Sequence, residues 1–514
     1  MDEAQDAPSA VRRLLIVGGG SAGWMAAAFL SRALGRSISI ELVESEDIGI
    51  VGVGEATIPP IREFNRLAGV DEAQFIRATD ATFKVGIQFE NWGRPGDRYI
   101  HAFGHTAQEL DALVPLHHWW LLGRGAGKDD YPRWEEMFLG RIAADENRFA
   151  IDRKPGSELS RLLPHAYHFD AFAYSRHLRS LAESRGVRRT EGRISHCVRE
   201  SESGLLSHVV LEDGRELAAD FFVDCSGFRS LVLGETMEEK FCDWSHYLPA
   251  DRAVVVQSEH GGSSIAPYTK AIAHDVGWQW QIPLRSRVGN GHVYSSAFSS
   301  DEEAKRRLLA SLVGKAKGEP RLLKFRTGRR ANPWSGNVLA LGLAAGFLEP
   351  LESTSIHLVQ SGLERFVRLF PTRPDGVEER QHFNRESERE WLQVRDFIIA
   401  HYKVTQREDS EFWLHCAQMQ VPDSLAEVLA LWEEHGSIAI DGGHLFQSTS
   451  WTSLLLGQNL FPERPHPLTG RADAQPIAER IDQIAKSLRQ SGSRLPEHSK
   501  FLEQVIASAS APKH

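Results

Sequence analysis

The chain has 514 residues, 41% of them apolar and 25% charged, the balance of a globular protein with one large or two closely joined domains. A formal net charge of −10 lacks the basic surface that nucleic acids and anionic membranes require, so neither partner is expected. Four scattered cysteines, Cys197, Cys225, Cys242 and Cys416, form no CxxC pair, which argues against a disulfide framework or a metal site. A polar start running directly into an apolar strand shows no signal peptide, and no apolar run approaches the roughly 20 residues of a spanning helix. These features point to a soluble, cytoplasmic protein.

The first predicted element is the strand Arg13 to Val17. The segment Gly18-Gly19-Gly20-Ser21-Ala22-Gly23 follows it and fits G-x-G-x-x-G. A helix is expected from Trp24 to Arg36, then a second strand from Ser37 to Val43 ending at Glu44. Glycine here permits a tight turn and close approach of backbone to a pyrophosphate. The free N–H groups of the helix start favour phosphate, and Glu44 stands where an acid bonds a ribose 2′-OH. With strand, helix and acid all in place, the pattern predicts a bound dinucleotide.

After this the chain leaves the regular strand–helix alternation. Val51 to Pro60 is a loop rich in glycine and proline. In Thr82-Phe83-Lys84-Val85-Gly86-Ile87-Gln88-Phe89, alternation puts Lys84 opposite Phe83, Val85 and Ile87. From position alone such a lysine is expected to face solvent. Phe221 to Gly227 and Asn337 to Gly346 are two further apolar strands running into small residues, and Trp278-Gln279-Trp280-Gln281-Ile282-Pro283 is a strand with both tryptophans on one face. Glu349 to Thr354 leads into a helix over Ile356 to Phe370, with Ser353 or Thr354 as its cap and Glu352 as an acid at its N-terminus. Beyond a turn at Arg373 to Gly376, helices are expected over Glu378 to Lys403 and Ser424 to Glu434.

The strings "GGGSAGW", "VGVGEATIP", "FKVGIQFENW", "WQWQIP" and "EPLESTSIHL", in this order between residues 18 and 358, resemble flavin-dependent halogenases of the tryptophan halogenase type. The lysine string and W-x-W-x-I-P are the specific ones. The resemblance implies an α/β fold with a Rossmann-like FAD module of the flavin hydroxylase type. That module would cover residues 1–370, with an inserted sheet at about 236–325, and a mainly helical substrate-binding part would cover 371–514. FAD contacts are implied for Gly18, Gly20, Ser21, Ala22, Gly23, Glu44, Ala56, Thr57, Ile58, Gly342 and Leu348. In the family, reduced flavin and oxygen convert halide to hypohalous acid, which travels through the protein to a lysine beside the substrate. Lys84 matches that lysine and Glu352 its acidic partner, while Glu349, which precedes a proline, is the weaker choice.

The halide match is the backbone at Thr354 and Ser355, where the family is expected to show Thr-Gly; the serine side chain replaces a residue free to take positive φ. This leaves bromide and chloride both open. His101 and Phe103 match residues that sandwich the aromatic substrate. Phe446 and Trp451 are the only aromatics in a stretch where tryptophan-specific members are dense in them, so an indole is favoured over free tryptophan. A second glycine loop for a nicotinamide cofactor is absent, so a separate flavin reductase is the expected partner. Family members are often dimers, a state the sequence leaves open. A flavin monooxygenase and a non-catalytic flavin-binding protein remain as alternatives.

Overall fold

The computed structural model describes residues 10–46, 54–152, 154, 156–262, 264–470 and 472–508. Val51, Gly52 and Val53 of the second motif lie outside the described residues.

The run Arg13–Val17 forms the centre of a six-stranded sheet, because Leu14 to Val17 bury almost all of their surface on both of its faces. The strand order is Trp334–Ser335, Val338–Ala340, Phe221–Asp224, Arg13–Val17, Ser39–Glu44 and Arg188–Glu191. All neighbours are parallel except the two-residue edge strand Trp334–Ser335. A parallel pair needs a crossover, and the first is the helix Ser21–Ala33, which begins three residues earlier than the sequence pattern places it. This is a Rossmann-like α/β module.

A seven-stranded, mainly antiparallel sheet takes five strands from Arg252–Ser258 through Ala316–Lys324, together with Gly86–Glu90 and Arg98–Ala102. A third, three-stranded sheet sets Ala166–Asp170 between Gly54–Ala56 and Thr82–Lys84. The chain therefore changes sheets at Val85, whose N–H donates to Pro267 O at 2.8 Å. That crossing corrects the single-strand alternation over residues 82–89. All eight residues are buried, and Lys84 faces no solvent.

From Ser355 onward the chain is helical: Ser355–Arg368, Val377–Lys403, Glu411–Gln418, Asp423–His435, Ser448–Gly457, Ala474–Ser493 and His498–Ser508. Gly376, at φ 37°, turns the chain into the long second helix of this series. Most buried apolar residues of the sheets and of these helices join one continuous core, which fixes the C-terminal helices against the sheets, while Val254, Val256, Tyr294, Ala304 and Leu308 form a smaller separate cluster. Among the described residues no helix is long and apolar enough to cross a membrane.

Candidate active site

The glycine loop is built by close packing. Gly18 has φ +108°, and a Cβ there would sit 2.4 Å from the carbonyl oxygen of Cys225. A Cβ on Gly23 would lie 1.8 Å from Gly18 O, so only glycine lets the helix lie this close to the strand. Gly20 differs, since nothing among the described residues lies within 4 Å of its Cβ position. It is also the N-cap of Ser21–Ala33 and makes no side-chain cap bond. Among the described residues the helix start is thus uncapped and open at Gly20, which fits a pyrophosphate.

Other residues close this cradle. The Glu44 carboxylate reaches over Gly19 and accepts from Arg189 Nε at 2.6 Å. Ser21 shares a 3.2 Å hydroxyl contact with Ser175. Gly342 has φ +62°, and its Cβ position lies 2.9 Å from the Ala22 side chain, so the late strand closes on the helix start. Gly18, Gly20, Ser21, Ala22, Gly23, Glu44 and Gly342 are therefore one cluster. Ala56, Thr57 and Ile58 lie instead on and after the three-stranded sheet, where Thr57 Oγ1 donates to Tyr167 O at 2.8 Å. Leu348 is buried beside Glu349.

A second cluster forms where Thr82–Lys84 meets Glu349–Thr354. Lys84 is fully buried, and its Nζ donates to Ser353 Oγ at 2.7 Å and lies 5.3 Å from the Phe103 ring centre. Burial pulls its pKa down to about 7, against the opposing pull of the Glu352 and Glu55 carboxylates. Glu352, on the short turn Pro350–Glu352, is also fully buried. Both of its oxygens lie 3.0 Å from His101 Nδ1. His401 Nε2 is 3.0 Å from Oε1, within ion-pair range although off the alignment of a hydrogen bond. Burial alone would raise this acid, but the two histidines outweigh it and hold it at about 2. Glu349 is buried to the same degree and is pushed up to about 7. Its Oε2 accepts from Tyr402 Oη at 2.5 Å and Trp278 Nε1 at 2.8 Å, and its Oε1 has no partner.

Two expectations about the helix start need correction. Ser355 is the first helical residue, and the positive φ of +59° belongs to Ser353, so the missing glycine imposes no backbone strain at position 355. Neither proposed cap functions as one. Ser353 Oγ is taken by Lys84, and the N-cap Thr354 makes no cap bond, its buried Oγ1 standing without a partner among the described residues. The Glu352 carboxylate is held by histidines and is not engaged as an N-terminal helix acid.

The aromatic residues gather around Phe397. Phe446 stacks on it at 3.9 Å, Trp451 meets it edge-on at 5.0 Å, and His101 is 5.8 Å away. Trp451 Nε1 is buried without an acceptor. Lys84, Glu352, His101, Phe103, Phe446 and Trp451 thus converge from four distant parts of the chain. Sequence reasoning missed His401, Tyr402, Phe397 and the role of Ser353. The one usable signal was a histidine inside the apolar run Phe397-Ile398-Ile399-Ala400-His401. Among the described residues no His, Cys, Asp and Glu group is arranged to hold a metal ion.

The sequence profile of the family described as tryptophan halogenase matches residues 13–474. The chain belongs to the tryptophan halogenase family. It is a flavin-dependent halogenase, and its cofactor is FAD. Tryptophan 7-halogenase RebH of Lentzea aerocolonigenes is 33% identical, covering 96% of this chain and 98% of its own. Two solved structures are closer in sequence. A flavin-dependent halogenase from Xanthomonas campestris is 42% identical with a TM-score of 0.92, covering 96% of this chain and 98% of its own. BrvH, a flavin-dependent halogenase from Brevundimonas sp. BAL3, is 40% identical with a TM-score of 0.91, covering 96% and 99%. The glycine cradle of this halogenase fits FAD, since its helix start is open and the acid stands beside the loop.

Proposed function

We propose that this halogenase places bromide or chloride, oxidised to hypohalous acid, on an indole-like ring held beside Lys84 and Glu352. The observation that carries this reading is a fully buried lysine with a pKa near 7, one hydrogen bond from Ser353 and in the field of Glu352. At neutral pH a large fraction of Lys84 is the free amine, which can hydrogen-bond hypohalous acid or carry its halogen.

When bound, reduced FAD with oxygen supplies the two-electron oxidation of halide, and a separate flavin reductase supplies the reduced cofactor. The unpaired Thr354 Oγ1 and the uncapped start of Ser355–Arg368 offer the anion a hydroxyl and free N–H groups. At the ring, a carbon–halogen bond forms as the oxygen–halogen bond breaks. The ring proton passes to the Glu352 carboxylate and from there, in the net balance, to the departing hydroxide, which leaves as water and returns Glu352 to its ionised state. His101, Phe103, Phe446 and Trp451 supply the aromatic walls that position an indole. Depletion of aromatics around Phe446 and Trp451 favours indole or a substituted indole over free tryptophan.

The test supplies FAD, NADH and a flavin reductase to wild type and Lys84→Ala, with indole or tryptophan and with bromide or chloride. Mass spectrometry is expected to show halogenated indole from the wild type and loss of at least about a hundredfold in the variant. Hydroxylated product would move the chemistry to monooxygenation. Undiminished product from the variant would remove Lys84 from the mechanism, and tryptophan outperforming indole would overturn the substrate class.

A further inference from the structure

The last turns of Val377–Lys403 bring His401 and Tyr402 against the two buried acids of the Glu349–Thr354 segment. His401 is 1% exposed, and its Nδ1 lies 2.8 Å from Phe397 O. A carbonyl oxygen can only accept, so Nδ1 carries a hydrogen. In a neutral ring an unprotonated Nε2 would then stand 3.0 Å from Glu352 Oε1. An unprotonated nitrogen that close to a buried carboxylate oxygen repels it whatever their alignment, so one proton has to be held between this ring and this carboxylate. His101 is under no such constraint, because a neutral ring bearing its hydrogen on Nδ1 can donate to Glu352.

We propose that His401 is a positioning residue for the halogenation, an imidazolium locked by Phe397 O that keeps Glu352 ionised and aimed at the ring proton. The proposal rests on the function inferred above, and it adds that Glu352 depends on a residue that touches no reactant. The groups around His401 leave it this role. Glu352 faces it from the turn Pro350–Glu352, and Phe89, Trp92 and Phe397 surround its ring at 4.9, 6.0 and 5.1 Å. Beyond Glu352 stand the other groups that act on that carboxylate's field: His101 and Tyr99 from Arg98–Ala102, and Lys84 from Thr82–Lys84. Gln458 Nε2 fixes the backbone of His401 by donating to its carbonyl at 3.0 Å. Glu349 supplies an internal contrast. It is equally buried and has two good donors but no imidazole, and it keeps its proton up to about 7.

The test uses the full chain with FAD, and the variants His401→Gln and His401→Phe. Infrared difference spectra between about pH 5 and 8, with Glu352→Gln to assign the band, read the Glu352 carboxyl stretch without any turnover. Wild type should show no protonated Glu352 in this range, and both variants should show it. Bromination of indole should fall about ten- to a hundredfold in kcat at pH 6 with KM nearly unchanged, and recover as pH rises. Ring-deuterated indole should give a kinetic isotope effect in the variants that is absent from the wild type. If His401→Phe does not fold, His401→Gln, which keeps a neutral N–H and loses the charge, decides alone. An unprotonated Glu352 and an unshifted pH profile in the variants would overturn the proposal. Wild type that makes no halogenated indole overturns the function above, while the infrared band still judges His401.

Discussion

Glu349 and Glu352 stand three residues apart in one buried segment, equally hidden from solvent, yet one holds its proton up to about 7 and the other only to about 2. Glu349 receives hydrogen bonds from an indole and a phenol, neutral groups that only partly offset its burial. Glu352 sits between two imidazoles. Burial therefore sets how much a charge costs here, and the partner decides whether the acid is ionised. The same comparison separates a structural acid, which ties Trp278 and Tyr402 together, from one able to receive a proton.

The harshest way to break the contrast is Glu352→Gln. Loss of the base should lower kcat by about a hundredfold or more, with FAD binding intact, measured by product formation and flavin absorbance. A subtler effect accompanies it. Activity of the wild type should rise as pH increases through about 7, where Lys84 loses its proton. Because the Glu352 charge holds that pKa up, any residual activity of Glu352→Gln should rise at a lower pH. An unmoved limb would separate the two residues electrostatically.

Glu349→Gln should leave turnover within a few-fold of wild type, because an amide copies the shape of a protonated acid and can keep its oxygen as the acceptor of Tyr402 and Trp278. Its signature is in stability. The folded acid holds its proton up to about 7, whereas the unfolded one releases it near 4.5, so wild type should lose stability as pH rises across that window. The variant should show a shallower slope in thermal melts taken from pH 4 to 8, the remainder coming in part from Glu55, which burial also raises to about 7. Smallest is Tyr402→Phe, which removes one of two donors to Glu349 and should cost about 1 kcal/mol, seen as a modest drop in Tm with Glu352 chemistry unchanged.

The two ends of the protein were not equally legible in the sequence. Most of the dinucleotide cradle is local. Its glycine loop, helix start and Glu44 lie between residues 18 and 44, with Gly342 joining from the late strand, and the local spacing is a direct consequence of how a strand turns into a helix. The family membership, the α/β fold and the C-terminal helices could be read for similar reasons, with helix ends displaced by at most three residues. The lysine site is assembled from segments hundreds of residues apart, and only resemblance brought Lys84 and Glu352 forward. Alternation failed at Lys84 because the chain changes sheets at Val85. Nothing local could mark His401 as the partner of Glu352, since a histidine in an apolar helix turn reads equally well as packing.

Ser353 carries a consequence for anyone trying to make this enzyme hardier. It is a non-glycine residue at φ +59°, the kind of position where a stabilising design would substitute glycine to relieve roughly 1 kcal/mol of backbone strain. Here the strained residue supplies the hydroxyl that receives the Lys84 ammonium or amine, and its twist separates the turn bearing Glu352 from the helix that starts at Ser355. Relaxing it would trade a rigid elbow for a hinge between the turn bearing Glu352 and the helix that starts at Ser355. Robustness is better sought in surface loops, and this awkward serine left in place.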